Sequence, residues 1–190
     1  MELLLGCGNR REKLIRPHGR PTNWTTLTTL DMDRRCNPDH VWNLDWSDPL
    51  PFADNTFDEI HAYEVLEHLG NQGDWWTFFH QFTDYWRILR PDGLLCATVP
   101  AHDSIWTWGD PGHRRVINLG TLVFLNQEEY HKQVGKTAMT DYRGHWFGDF
   151  SVAWAEHYPE TLAFVLQAHK PARSFTLPTT TTETPTPTLT

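Results

Sequence analysis

The chain is short of cysteine, of long apolar runs and, over its middle third, of positive charge. It holds only three cysteines, Cys7, Cys36 and Cys96, in 190 residues. An odd count without metal-type spacing excludes a disulfide scaffold or a zinc module and points to reduced thiols in a cytoplasmic chain. No apolar stretch approaches the ~18 residues a spanning helix needs, so no membrane partner is expected. Residues 41–100 carry 2 Lys/Arg against 10 Asp/Glu, whereas residues 1–40 carry 7 against 5. With a net charge of −8 and no basic stripe, strong non-specific nucleic-acid binding is not expected, although a single extruded base or a strand end remains open as a substrate. Tryptophan, by contrast, is abundant, with ten copies.

The length suits one domain, expected over residues 1–170. The Thr/Pro-rich segment 171–190 has no hydrophobic period and is expected to be a disordered tail. Short apolar runs at residues 2–5, 23–30, 41–44 and 57–62 read as strands. Residues 74–89 place apolar side chains at 75, 78, 79, 82, 85, 86 and 89, the period of a helix. Arg90-Pro91-Asp92-Gly93 stops that helix, and the apolar run 94–99 reads as a strand covered on both faces. Residues 150–156 and 161–168 flank Tyr158-Pro159-Glu160 as a hairpin. Two short helices are expected at 118–125 and 127–134, the first capped by Asn118. The alternation predicts an α/β, doubly wound, mostly parallel sheet with a C-terminal antiparallel hairpin. Pro17, Gly19 and Pro21 leave the first crossover helix short or irregular.

Polar residues fall where strands end. Leu5-Gly6-Cys7-Gly8 is a strand feeding a glycine turn, whose bare backbone can approach a ligand. Asp31, with Met32 beside it and Asp33 as an alternate, closes the second strand 23 residues after Gly8, where nucleotide-type folds place a carboxylate on ribose hydroxyls. Asn43-Leu44-Asp45 closes the third strand, and the fourth empties into Tyr63-Glu64-Val65-Leu66-Glu67-His68. Open α/β sheets bind ligands at these carboxyl ends.

Leu5-Gly6-Cys7-Gly8, Leu50-Pro51-Phe52-Ala53-Asp54, Phe57-Asp58-Glu59-Ile60, Val65-Leu66-Glu67-His68 and Trp86-Arg87-Ile88-Leu89-Arg90-Pro91-Asp92-Gly93 occur in the order of one known group. Across residues 2–100 the sequence resembles the class I S-adenosylmethionine-dependent methyltransferases of the type 11 kind. The resemblance implies a seven-stranded Rossmann-like sheet and S-adenosyl-L-methionine as cofactor. Gly6 and Gly8 would lie at its amino-acid part, Asp31 at the ribose, Leu44 and Asp45 at the adenine, and Tyr63 or Glu64 at the methionine end. One departure is Leu4, where the family often has an acid. The run Glu64-Val65-Leu66-Glu67-His68 is also similar to a Glu-x-x-Glu-His run in metal-using relatives, which act on 2′-hydroxyls at small-RNA ends or in ubiquinone synthesis. It implies a divalent metal on Glu64, Glu67, His68 and His113, with His102 as substitute. Mn²⁺, Co²⁺ or Zn²⁺ would suit these mixed donors better than Mg²⁺. Without metal, His68 or His113 would act as general base, with Glu67 beside them.

Residues 101–149 are expected to form the substrate cap, where Trp106, Trp108, Tyr142 and Trp146 would either stack on an acceptor or pack the cap itself. Arg114-Arg115 would hold an anionic group or form a surface pair. The chain lacks both an Asp/Asn-Pro-Pro-Tyr/Phe run and a Pro-Cys nucleophile after the fourth strand, which argues against the standard DNA methylases. The expected reaction is methyl transfer to an oxygen or nitrogen acceptor. A non-catalytic cofactor-binding subunit is the alternative, and a dinucleotide oxidoreductase ranks lower because positions 9–11 are Asn-Arg-Arg rather than completing a third glycine.

Overall fold

A computed structural model describes residues 1–45 and 47–173. Seven strands form one sheet: β1 (Glu2–Leu5), β2 (Leu27–Asp31), β3 (His40–Val41), β4 (Phe57–Tyr63), β5 (Leu89–Pro100), β6 (Phe150–His157) and β7 (Thr161–Ala168). Their order is β3-β2-β1-β4-β5-β7-β6, with β1 to β5 parallel and β7 antiparallel to both β5 and β6. This is the expected mostly parallel α/β sheet with its closing hairpin. The reversal of strand order at β1 and β4 opens a crevice at their carboxyl ends.

Helix α1 (Trp75–Ile88) starts where the Asp74 carboxylate accepts a hydrogen bond from the Thr77 amide, 3.0 Å away. It buries Phe78, Phe79, Phe82, Tyr85 and Ile88 against Leu95, Ala97 and Val99 of β5 and Leu162, Phe164 and Leu166 of β7, which form one core cluster. Short helices α2 (Trp106–Gly109), α3 (Leu119–Val123) and α4 (Gln127–Gln133) follow β5. Asn118 caps α3 in a reciprocal capping box with Thr121, and Asn126 caps α4.

The differences from expectation have local causes. The strand expected from residue 23 starts at Leu27, because Thr25 and Thr26 turn their amides onto the Glu2 carboxylate at 3.2 and 3.0 Å. The third strand is only His40–Val41 and precedes the expected 41–44. No helix occupies the β1–β2 crossover; its irregular segment is pinned by a buried polar network instead. Lys13 Nζ sits 2.6 Å from the Glu59 carboxylate, both side chains 2% exposed. His61 Nε2 meets the same carboxylate at 2.8 Å, and His61 Nδ1 meets the Tyr63 hydroxyl at 2.6 Å. That hydroxyl also accepts the Leu14 and Ile15 amides at 3.1 and 3.2 Å. Burial lowers the His61 pKa, so a neutral ring donating to Glu59 and accepting from Tyr63 satisfies every member. The expected Thr/Pro tail lies outside the described residues from position 174 onward.

Candidate active site

At the carboxyl edge, a cavity of about 270 Å³ is lined by Gly6, Asp31, Met32, Asn43, Leu44, Asp45 and Glu64. Those seven are among the residues the sequence placed there. Leu30, Trp42, Val65, His68 and Leu69 complete the wall. The sequence reading missed Leu30, Trp42, Val65 and Leu69 as site residues because they are apolar, although their place at strand ends was a usable signal. A larger cavity, about 920 Å³, lies on the other face of the sheet and away from this edge.

Gly6 has a φ of +55°, and a Cβ there would come within 2.5 Å of Val65 Cγ2. Glycine is therefore required on both conformational and steric grounds. Gly6→Val is expected to cost about 1–3 kcal/mol of stability and to abolish cofactor binding, measured by urea unfolding and calorimetric titration; unchanged values would remove the close-approach argument. Gly8 is different: its φ is +47°, but a Cβ would meet nothing within 4 Å.

Four expected residues do not line the cavity. Leu5 and Cys7 are buried, and Cys7 N–H is spent on the Leu30 carbonyl at 3.2 Å. Gly8 N–H donates to Asp31 Oδ2 at 2.8 Å. Tyr63 points to the opposite face, into the His61 network, which corrects its expected place at the methionine end; Glu64 lines the cavity instead. Asp31 closes β2 with Oδ1 on the Asp33 amide at 2.8 Å. Asp33 is turned outward: hydrogen bonds from the Arg35 side chain and backbone hold its pKa down to about 2. Asp45 is already engaged, its Oδ1 accepting the Gly70 amide at 2.9 Å and its Oδ2 accepting from Arg114.

Beside the cavity, Leu66–His68 form a single 3₁₀ turn, preceded by Glu64 in the left-handed region at φ +53°. The convergent group is Glu67, His68 and His113, with Glu64 beside Glu67. His113 Nδ1 lies 2.8 Å from the Trp106 carbonyl, and His68 Nδ1 lies 3.1 Å from the Gly112 carbonyl. A carbonyl only accepts, so each Nδ1 carries the hydrogen, and in the neutral ring each Nε2 presents a lone pair. Both Nε2 atoms sit 3.9 Å from Glu67 Oε1. The Glu67 side chain is 2% exposed, and neither oxygen has a hydrogen-bond partner among the described residues. Burial, with the nearby negative charge of Glu64, raises its pKa from the ordinary 4.5 to about 8.

The remaining expectations sort by burial. His102 lies apart, in an exposed cluster with Asp103 and His157, so it is not a substitute for His113. Trp146 is fully buried and stacks on Phe79 and Phe150, and Tyr142 packs against Trp75, Phe79 and Phe124. Trp106 and Trp108 stay 51% and 62% exposed. Arg114 and Arg115 are each bonded within the protein. Arg114 donates to the His68 carbonyl at 2.7 Å and to Asp45, while the buried Arg115 donates to the Asn71 and Asp74 carbonyls.

Strand order, switch point and glycine turn define the class: a nucleotide-type α/β fold with its ligand edge at β1 and β4. Residues 26–97 match the methyltransferase domain family of type 11. Solved structures share the fold at low identity. A methyltransferase from Mesorhizobium loti aligns at a TM-score of 0.51 and 12% identity, covering 87% of this chain and 89% of its own. One from Archaeoglobus fulgidus aligns at 0.50 and 13%, covering 87% and 85%. The structure of the complex with the Haloferax volcanii Trm112 methyltransferase activator aligns at 0.51 and 14%, covering 88% and 82%. No curated protein sequence matches the chain. The match to the methyltransferase domain family spans well under half of the chain, and the solved structures show that the whole described sheet has the same fold. Among the described residues no helix is long and apolar enough to cross a membrane.

Proposed function

We propose that the protein methylates an oxygen or nitrogen acceptor, a hydroxyl first, on a small molecule or a nucleic-acid end. The observation that carries this reading is the buried, unpartnered Glu67 carboxylate facing two histidine Nε2 atoms at 3.9 Å beside the cavity. The sulfonium is already a good leaving group, so the protein must align acceptor, methyl and sulfur and take up the acceptor's proton. Gly6 lets the cofactor's amino-acid end approach, with Leu5, Cys7 and Gly8 shaping the turn, and Glu64 faces that end. Asp31 takes the ribose hydroxyls; its oxygens still have free lone pairs, whereas Asp33 is bound to Arg35. Met32, Asn43 and Leu44 flank the adenine, and Asp45 fixes the wall behind it through Gly70 and Arg114. Trp106 and Trp108, exposed next to His113, offer a stacking surface to the acceptor.

Glu67, His68 and His113 fit a divalent cation such as Mn²⁺, Co²⁺ or Mg²⁺. Each imidazole is oriented by a carbonyl on its far nitrogen, as metal ligands usually are, and a cation would satisfy the orphaned carboxylate. Bound there, it would act as a Lewis acid that lowers the acceptor hydroxyl's pKa. Chelation should abolish transfer of labelled methyl, and Mn²⁺ should restore it. Full activity in EDTA, lost in His113→Ala, would leave the histidine as the proton acceptor and remove the metal.

Asp31→Ala should weaken S-adenosylmethionine binding by about one to two decades, the worth of a charge-assisted contact of roughly 1.5–3 kcal/mol. Calorimetry showing unchanged affinity would withdraw the ribose assignment.

A further inference from the structure

The sheet has a second apolar face that no helix among the described residues covers. Leu94 and Cys96 of β5 and Ala163 and Val165 of β7 point away from α1 and form a separate small cluster with Ile15. No helical residue among those described belongs to that cluster or lines the groove above it. What crosses this face is the irregular segment 10–20, held at its inner edge by Tyr63 and Lys13. Between that segment and β6 lies the open groove of about 920 Å³, walled by Leu14, Trp154 and Tyr158, which are 58%, 41% and 43% exposed. Strands apolar on both faces ordinarily lie between two layers, so this face is one layer short.

We propose that the groove docks an acidic amphipathic helix of a partner protein. Three neighbouring strands, β5, β7 and β6, span about 10 Å at the usual spacing, close to the width of one helix. The rim supplies the charge. Among the charged side chains that line the groove, two arginines, Arg16 and Arg20, face one carboxylate, Asp92, in a chain whose net charge is −8. Arg16 and His18 line the groove and are exposed; no hydrogen bond or ion pair joins them to other described residues. Arg20 stands beside them, donating to the Asp92 carbonyl at 3.0 Å. The apolar stripe of the helix would lie on Ala163, Val165 and Trp154, and its acidic flank would meet this rim.

The test uses the full chain and a fluorescein-labelled helical peptide of about 18 residues, with leucine on one face and glutamate on the other. Its controls are a scrambled peptide of the same composition and a peptide with lysine replacing glutamate. Fluorescence anisotropy should show the leucine/glutamate peptide binding at least about tenfold more tightly than either control. Trp154→Glu and Arg16→Glu should each weaken it by a similar factor, with melting temperature and S-adenosylmethionine affinity unchanged. Equal binding of all three peptides, or binding indifferent to both substitutions, overturns the proposal. A concentration-dependent dimer abolished by Trp154→Glu would give the groove to a second copy of this chain. Dodecanoate binding without any peptide binding would give it to an anionic lipid. Either result also overturns the proposal. Failure here leaves the methyl-transfer reading intact, because no residue lines both the groove and the cofactor cavity.

Discussion

Glu67→Gln is expected to reduce methyl transfer by roughly two to four decades, the usual contribution of a positioned acid–base group, while raising the stability of the metal-free protein at alkaline pH. The carboxyl is raised in the folded state from 4.5 to about 8 by burial and by Glu64. The fold therefore binds this proton more tightly than the unfolded chain does. Its contribution is fully present below pH 4.5 and is lost as the pH climbs towards about 8. Glutamine mimics the protonated acid and does not titrate. In EDTA, wild type and variant should melt alike near pH 4.5, and the variant should melt higher above pH 8. With Co²⁺ present, only the wild type should gain stability and a visible ligand-field spectrum. A variant that melts lower at every pH, or that keeps the cobalt spectrum, would contradict the assignment of Glu67 as the ligand-facing carboxylate.

Lys13→Ala is expected to destabilise the protein by about 3–5 kcal/mol, because it leaves a buried carboxylate without its cation. Lys13 and Glu59 are each 2% exposed and 2.6 Å apart, and Lys13 also donates to the Pro21 carbonyl at 3.0 Å. Its partners lower the Glu59 pKa despite the opposing effect of burial, through hydrogen bonds from His61 and Lys13. Replacing both members, as in Lys13→Met with Glu59→Gln, should recover part of the loss, since no charge is then left unpaired. Chemical denaturation of the two singles and the double measures this. A single-variant cost under about 1 kcal/mol, the range of exposed pairs, would show that water reaches the network.

The elements that the sequence made legible are those whose pattern is local. Helix α1 follows from its 3.6-residue period and from Asp74; the glycine turn ends β1 where expected, and turns with glycine or proline start β6 and β7 at the expected residues. The network of Lys13, Glu59, His61 and Tyr63 was not legible. Glu59, His61 and Tyr63 face one side of β4 at alternate positions, and only the tertiary approach of residues 10–20, with Lys13, turns that alternation into a buried ion pair. The same reason hid the true partners of Tyr63 and the uncovered second face. At the site, Gly6, Asp31, Asn43, Leu44 and Asp45 could be placed at the ligand edge because strand ends fix where they lie. The pairing of Glu67 with His68 and His113 was implied only by the resemblance to metal-using relatives. Their convergence required the 3₁₀ turn and the loop that Arg114 straps to Asp45, neither of which has a sequence period.

The central claim is that the carboxyl edge of β1, β2 and β4 holds S-adenosylmethionine. Calorimetric titration of the full chain with this cofactor tests it without knowledge of the acceptor. One binding event per chain is expected, weakened by about one to two decades in Asp31→Ala and absent in Gly6→Val. Binding that ignores both substitutions, or no binding by the wild-type chain, would contradict it.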